Sequence, residues 1–283
     1  MTESRRRFLR IAGLAALGSA GASLGRRRAA RAEATAAVAA SAGPRWAMAI
    51  DLGACASEGA DCDRCFRACH AAHNVPDFEA NPRLDRDALY GNSPRHAVRW
   101  IWRTGYDNAF HGQTHAYVAS AAIRTGVPVL CNHCESPPCV RACPTQATWR
   151  RSDGIVMMDM HRCIGCRYCI AACPYGARSF NLRDPRIAFR EDPRDPRSPM
   201  TLPSPSYPTR TRGVVEKCSF CAELPEGDRE SRRPYCARAC PRGAILFGDI
   251  HAPGSELRRA LGERFTVQRA PSLGTNPHVF YIV

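Results

Sequence analysis

The sequence has 283 residues, 16 cysteines and a formal net charge of +14, which raises the question of a nucleic-acid partner. Eight arginines and a single acid fall within residues 1–32, so the rest of the chain carries only +7. Sixteen thiolates would hold four four-iron clusters, which add about −8 and leave about −1 on the mature protein. No basic helix or recognition motif accompanies the charge, and we exclude a nucleic-acid partner.

Residues 1–32 are predicted to be a signal segment that is removed on export. The run S-R-R-R-F-L-R at residues 4–10 resembles the twin-arginine motif, and the apolar residues 11–24 are too few to span a membrane. An A-x-A-type cleavage site stands at residues 30–32, with residues 34–36 as a second candidate. The alternative is a solvated basic tail. Residues 33–44 are predicted to be a flexible spacer.

The first cysteine group follows a predicted short strand at residues 46–50 and consists of Cys55, Cys62, Cys65 and Cys69. Six residues separate Cys55 from Cys62, where two are usual in ferredoxins, and His70 stands where a proline usually follows the fourth cysteine. The longer loop can still close, because added loop length costs little free energy. We expect a four-iron cluster here, with a three-iron cluster or a histidine ligand as the alternatives.

Residues 74–128 form a long insertion without cysteine that contains four notable aromatic residues, Trp100, Trp102, Tyr106 and Tyr117. We expect these side chains to pack inside the protein or to contact a partner. The same insertion holds three histidines, but no C-x-x-C-H haem-attachment motif occurs in the sequence. We therefore predict structural roles for His96, His111 and His115.

The second group comprises Cys131, Cys134, Cys139 and Cys143. Pro137 and Pro138 stiffen the longer gap before its third member. His133 lies between two ligands, so we expect it either to hydrogen-bond a cluster sulfur or a partner's cofactor, or to be a partly exposed loop residue. Arg141 and Arg167 lie in cluster loops, where positive charge favours the reduced cluster and raises its potential.

The third group spells C-I-G-C-R-Y-C-I-A-A-C-P at residues 163–174, the ligand run of bacterial ferredoxins. In such a run one loop wraps three thiolates around one cluster, and the fourth thiolate serves a neighbouring cluster. Zinc ribbons usually show separated C-x-x-C pairs instead, so the spacing favours iron and sulfide. Gly165 leaves the loop free to bend. The ligands predicted here are Cys163, Cys166, Cys169 and Cys173.

Residues 183–212 are rich in proline and arginine, and we predict an extended surface loop or an arm that wraps a partner. The fourth group follows, with a charged insertion of 14 residues after its second member: Cys218, Cys221, Cys236 and Cys240. The extension 251–283 is predicted to contain a short helix at residues 254–263 and an apolar end too short to span a membrane. The mature chain is therefore expected to have no membrane anchor of its own.

Exchange of the fourth ligand between neighbouring groups predicts how the cysteines are shared. Groups two and three lie close in sequence, and one of their clusters takes Cys131, Cys134, Cys139 and Cys173. Its neighbour takes Cys163, Cys166, Cys169 and Cys143. The first and fourth groups form the other pair, with one cluster on Cys55, Cys62, Cys65 and Cys240. The last cluster takes Cys218, Cys221, Cys236 and Cys69. The predicted fold of residues 45–250 is α+β, with duplicated two-cluster ferredoxin-like lobes, long loop insertions and few short strands and helices.

The predicted leader and the predicted cofactor are consistent with each other. Export to an oxidising compartment would favour disulfides, whereas the cysteine spacing predicts clusters that are assembled in the cytoplasm. Twin-arginine export carries folded proteins, so we predict a cluster-containing protein in the periplasm. A secreted binding protein stabilised by zinc or disulfides is the alternative of another class.

The four groups, with their Cys-Pro turns at residues 143, 173 and 240, resemble the four-cluster ferredoxin-like subunits of molybdopterin oxidoreductases and related membrane complexes. A narrower likeness, in the leader and in residues 69–76, 131–135 and 163–169, is to the DsrO family of periplasmic iron–sulfur subunits of DsrMKJOP complexes of sulfur metabolism. This resemblance implies an electron-transfer subunit rather than an enzyme, held by an integral membrane quinone-interacting subunit, next to a multihaem cytochrome c. The same module in a molybdopterin reductase or hydrogenase is the alternative. No Walker loop or G-x-G-x-x-G motif appears.

Overall fold

The computed structural model of the chain describes residues 43–78, 96–113, 126–208, 210–224 and 232–283. The predicted signal segment, most of the spacer, His115 and Tyr117 lie outside the described residues. Residues Arg45–Val283 belong to one compact unit. All sixteen cysteines lie within the described residues, so each predicted ligand can be located.

The fold combines short helices and short strands, which confirms the α+β prediction. The strands of the described residues are β1 (Trp46–Asp51), β2 (Ile101–Thr104), β3 (Val127–Leu130), β4 (Thr148–Arg150), β5 (Val156–Met158), β6 (Ser179–Phe180), β7 (Val215–Glu216), β8 (Ile245–Asp249), β9 (Thr266–Val267) and β10 (Val279–Ile282). The helices are α1 (Leu52–Ala56), α2 (Arg64–Ala72), α3 (Tyr106–Ala109), α4 (Pro138–Arg141), α5 (Tyr168–Ala171), α6 (Tyr235–Arg238) and α7 (Glu256–Glu263). Over the described ranges, no helix has the length and apolar character needed to cross a membrane.

The largest sheet has the strand order β8-β1-β10-β9. Strand β1 pairs antiparallel with β8 and parallel with β10, so that Met48 lies opposite both Phe247 and Val279. The apolar end of the chain is therefore a strand inside the sheet, next to the first strand. The predicted helix near residue 254 begins slightly after that position, because the Ser255 side chain caps it by accepting from Arg258 N at 3.0 Å.

Strand β1 separates two apolar cores, because its side chains alternate between the faces of the sheet. Ala47 and Ala49 pack with Leu257 of α7 on one face. Met48 and Ile50 enter the larger core on the other face. That core also contains Cys65, Cys69, Cys131, Cys134, Cys218 and Cys236. Many of the candidate ligands thus lie inside the main core rather than on a surface loop.

Each cysteine group follows the end of a strand. The first group comes after β1, and the second begins at Cys131, directly after β3. The third and fourth groups follow β5 and β7. Strands β2 and β3, β4 and β5, and β6 and β7 form three antiparallel pairs. The strand predicted before the first group is confirmed, and the same arrangement holds at the other three.

The described parts of the two long insertions are partly buried. Trp100, Trp102 and Tyr106 pack against the main core, which confirms the expected packing role of these three aromatic residues. In the segment 183–212, the short 3-10 helix Pro185–Phe189 is capped by Asp184. This segment is not a purely surface loop, because Arg210 is only 3% exposed.

Candidate metal centres

Thiols from both ends of the domain line one cavity, which we call site A: Cys55, Cys62, Cys65 and Cys240. Helix α1 presents the first of them and is capped by Asp51, whose carboxylate accepts from Ala54 N at 2.9 Å. The backbone N–H of Ala244 donates to Cys240 Sγ at 3.3 Å. Burial, and after it the neighbouring thiols of site A, raise the pKa of Cys65 to about 12. Negative charge at this site therefore needs a positive counterpart.

The long loop between Cys55 and Cys62 folds back onto this cavity. Arg103 of β2 donates to the carbonyl of Ala60 and, at 2.5 Å, to that of Cys62. His70, which the sequence offered as a replacement ligand, does not line site A but borders a different cleft, beside Phe66 and Trp102. The structure thus gathers four cysteines here and places the histidine elsewhere.

A second set of thiols is fully buried, and we call it site B: Cys69, Cys218, Cys221 and Cys236. Burial raises the pKa of Cys69 well above its ordinary value, and the three other thiols act in the same direction. The loop after Cys218 adopts left-handed backbone at Phe220 (φ 53°), and this conformation lets Phe220 N donate to Cys218 Sγ at 3.4 Å. Arg232 donates to the carbonyls of Phe220 and Cys221 at 3.2 and 2.9 Å.

A third cavity, site C, combines ligands of the second and third groups: Cys131, Cys134, Cys139 and Cys173. Pro137 precedes α4 in extended conformation and turns the chain so that Cys139 faces the cavity. Burial, and after it the neighbouring thiols, raise the pKa of Cys134 to about 12, while a hydrogen bond with Thr275 opposes that rise. The C-terminal region therefore reaches this site.

Four cysteines remain outside sites A to C, and following the predicted ligand exchange we refer to them together as site D: Cys143, Cys163, Cys166 and Cys169. Cys169 lies beside Cys163, whose sulfur accepts from Val215 N at 3.5 Å, and Cys166 is exposed. Burial acts to raise the pKa of Cys143, but the N–H groups of its own turn, chiefly that of Thr148, outweigh it and lower the pKa. A turn that stabilises a thiolate in this way suits a metal ligand.

The four sites follow one another in a single series. Cys65 of site A lies close enough to Cys236 of site B to influence its pKa. Cys131 of site C has the same relation to Cys218 of site B. Cys139 of site C influences Cys169 of site D. These relations order the sites as A, B, C and D. The site built mainly from the fourth cysteine group, site B, therefore comes between those built mainly from the first and second groups.

The spacing of the thiols tests which metal they fit. Sulfur atoms around one tetrahedral zinc lie about 3.8 Å apart, because the Zn–S bond is about 2.3 Å. Among the described residues, which include every cysteine, the donor atoms that lie within 4.8 Å of one another in a set of three belong to His73, Cys221 and Glu223, a set with a single thiol. All sixteen are free thiols. At sites A and C, four sulfur donors line a common cavity and are too widely spaced for a single zinc, an arrangement that fits a four-iron cluster.

Two histidines are buried beside these sites. His133 is 0% exposed, so the expectation of a partly exposed loop residue is wrong. Its Nδ1 accepts from Val156 N at 3.0 Å, which leaves the Nε2 proton to face the interior. His73 was not singled out from the sequence. Its Nδ1 donates to the carbonyl of Cys69, and its Nε2 lies 2.7 Å from Glu223.

The contacts of His73 join distant parts of the chain around site B. Its ring stacks on Trp100 with centroids 4.4 Å apart. Burial works against the ionised form of Glu223, but the hydrogen bond from His73 outweighs it and lowers the pKa of that carboxyl. The sequence signal that could have identified His73 is its position four residues after Cys69, because residues i and i+4 share a helix face.

Two family models match the sequence, each described as a 4Fe–4S dicluster domain, over residues 124–187 and 162–245. The first match contains the second and third cysteine groups, and the second match contains the third and fourth.

Similarity to known proteins extends along most of the sequence. Iron–sulfur subunit 1 of the Hdr-like menaquinol oxidoreductase of Archaeoglobus fulgidus is 40% identical over 253 residues, which cover 84% of this chain and 82% of that protein. The iron–sulfur cluster-binding subunit of menaquinone reductase from Nitratidesulfovibrio vulgaris is 32% identical, covering 84% and 88%. A sulfite dehydrogenase subunit of Allochromatium vinosum is 39% identical, but the match covers only 55% of either protein.

Proposed function

Because this protein belongs to the iron–sulfur electron-transfer subunits of quinone-linked oxidoreductase complexes, we propose that it conducts electrons through four [4Fe–4S] clusters in a membrane-bound complex of sulfur metabolism. Each of sites A to D would hold one cluster through its four thiolates. Such a cluster, when bound, supplies one-electron transfer at a potential that its surroundings set. The observation that carries this proposal is that the thiols form separate sets, each of which lies beside the next.

The protein's own residues would insulate and stabilise the clusters. All four thiols of site B and three of the four in site C are buried away from water, and backbone N–H groups such as those of Phe220 and Ala244 donate to ligand sulfurs. Hydrogen bonds to cluster sulfurs stabilise negative charge and tune the potential. We propose that sites A and B form one ferredoxin-like lobe and sites C and D the other.

The ends of the series are where electrons would enter and leave, because sites A and D each have a single neighbour. At site D, Cys166 is exposed, and Ile164 and Tyr168 beside it are 67% and 63% exposed. Exposed aromatic and aliphatic side chains of this kind are typical of interface cores. We propose that the integral membrane quinone-interacting subunit docks here and that a multihaem cytochrome c is a further partner of the complex.

The coverage of the relatives supports a quinone-linked complex of the DsrMKJOP type. Relatives named for menaquinol or menaquinone match along 84% of the sequence, whereas the subunits of sulfite dehydrogenase and polysulfide reductase match over 55% and 54%. The beta-type subunit of a molybdopterin reductase or hydrogenase is the second candidate, favoured by these shorter matches. We further propose that residues 1–32 direct the folded protein to the periplasm by the twin-arginine route.

Affinity purification of the full chain from detergent-solubilised membranes tests this function. We expect an integral membrane protein and covalently bound haem to co-purify, and a quinol analogue to reduce the clusters. Co-purification with a molybdenum-containing subunit would favour the second candidate. A colourless protein that purifies without a membrane partner would contradict both.

A further inference from the structure

The two halves of the series meet between Cys131 of site C and Cys218 of site B. Both cysteines are buried in the main core, and Cys131 lies close enough to act electrostatically on Cys218. Beside these thiols the ring of His133 stacks on that of Phe220, with centroids 3.7 Å apart. We call these four residues and Lys217 the junction. Every electron that crosses from sites A and B to sites C and D has to pass it.

Lys217 brings an ammonium group into the junction. The residue is 3% exposed, and its Nζ donates to the carbonyl of Cys218 at 2.7 Å and to the carbonyl of Val156. The N–H of Val156 in turn donates to His133 Nδ1 at 3.0 Å. Val156 thus connects Lys217 to the histidine that lies between two ligands of site C.

The charge of Lys217 is not balanced by its hydrogen-bond acceptors, since both are neutral carbonyl groups. The adjacent carboxylate of Glu216 is already paired with Arg210 at 2.6 Å, and both of these side chains are at most 1% exposed. A buried charge is costly unless an opposite charge lies nearby. At the junction, the thiolates of sites B and C are the groups that can supply it.

A fixed positive charge beside a cluster stabilises the more negative, reduced state. Arg178, another buried cation, interacts chiefly with Cys139 and Cys131 of site C and Cys169 of site D. Lys217 instead donates to the carbonyl of Cys218 in site B and reaches, through Val156, the histidine between two ligands of site C. We therefore expect its charge to act on the two clusters that exchange electrons across the junction.

We propose that the charge of Lys217 raises the reduction potentials of the clusters of sites B and C and so stabilises an electron on the two clusters through which it passes between the halves. This inference rests on the proposed function, because it requires clusters in both sites. It adds Lys217, with His133 as its link to site C, to the residues that govern electron transfer.

The test is a redox titration of the anaerobically purified full chain, followed by electron paramagnetic resonance. Lys217→Met removes the charge at similar length, and the matched control is Arg259→Met on the exposed face of α7, across the sheet from the cysteines. Cys69→Ser and Cys134→Ser assign the signals of sites B and C. In K217M we expect the equilibrium constant for reducing each of these two clusters to fall about tenfold. For a one-electron couple this lowers the reduction potential by about 59 mV. The potentials of sites A and D, and all four potentials in the control variant, should change little.

The outcomes separate this inference from the function on which it rests. Unchanged potentials in K217M at full iron content, or an equal shift of all four clusters, would overturn the role of Lys217 and leave the proposed function standing. Wild-type protein without iron would refute the function itself. If K217M loses clusters, Lys217→Arg decides. Clusters and potentials that are retained in K217R support the role of the positive charge. Loss of clusters in K217R as well would show that the shape of the lysine side chain matters instead, and would overturn the inference.

Discussion

Cys65 and Cys69 lie one turn apart on helix α2, yet their thiols belong to different sites. Among the other thiols, those of Cys55 and Cys240 act most strongly on Cys65, whereas those of Cys218 and Cys236 act most strongly on Cys69. Residues four apart share a helix face, so this one helix fixes sites A and B at a short separation. The arrangement also ties the beginning of the domain to its fourth cysteine group.

This exchange predicts which cysteine variants behave alike. Cys65→Ser and Cys240→Ser should lose the same cluster, because both thiols face site A. Cys69→Ser and Cys236→Ser should both lose the cluster of site B. Each variant is expected to bind about four irons fewer than the wild type, as measured by iron analysis and electron paramagnetic resonance. Loss of one common signal by Cys65→Ser and Cys69→Ser would contradict the assignment.

Gly165 is predicted to be indispensable to site D. Its φ is +70°, and a Cβ added there would overlap the carbonyl oxygen of Gly213. Gly165→Ala should therefore displace the loop and remove the cluster signal of site D. Gly176→Ala is the control, since φ is +61° there but the space is open, and we expect a cost of about 1 kcal/mol with full iron content. Equal iron content in both variants would refute this role.

The buried ion pair between Arg210 and Glu216 is predicted to matter far more than an exposed one. Arg210 also donates to the carbonyls of His73 and Asn74, so its removal would leave Glu216 charged and the carbonyls unpaired. Arg210→Met should cost about 3–5 kcal/mol, measured by denaturation of the cluster-loaded protein.

The matched control for that variant is Arg186→Met. Its partner Asp184 also lies at 2.6 Å, but the two side chains are 42% and 30% exposed. An exposed pair contributes at most about 1 kcal/mol. Similar losses of stability in the two variants would show that burial of the Arg210 pair has no special effect.

The cysteine groups could be found from the sequence because a cluster dictates the local spacing of its ligands. The six-residue gap after Cys55 obscured the first group, and Arg103, which secures that loop, comes from a distant strand. Pairings across long stretches of sequence, such as His73 with Glu223, arise only in the fold. Burial, too, could not be predicted from the sequence. The cysteine spacing shows that His133 lies between two ligands, but only the packing of the fold shows that it is inaccessible to solvent.

The cations near the sites also show that sequence position alone does not reveal which residues pack beside a cluster site. Arg141 and Arg167 were singled out because they lie within cluster loops, and Arg167 does stack on Phe180, with its guanidinium carbon 5.4 Å from the ring centre. Lys217 and Arg178 were not singled out, although both are buried beside cysteines. Tertiary packing, rather than sequence distance from a ligand, decides which charge acts on a cluster.

The surface beside Cys166 is predicted to hold the membrane partner. Ile164→Glu and Tyr168→Glu place a charge in the proposed interface and should reduce co-purification of the membrane subunit about tenfold or more. Both side chains are exposed, so iron content should stay unchanged. Phe265→Glu, at a residue that is 74% exposed next to β9, serves as the control and should not affect co-purification. Equal retention of the partner by all three variants would place the interface elsewhere.

Quantitative analysis of iron and acid-labile sulfide in the full chain, isolated without oxygen, tests the central claim most directly. We predict about sixteen irons and sixteen sulfides per chain, with a broad brown absorption near ~400 nm. Zinc in place of iron, or colourless protein in which these cysteines form disulfide bonds, would contradict the account.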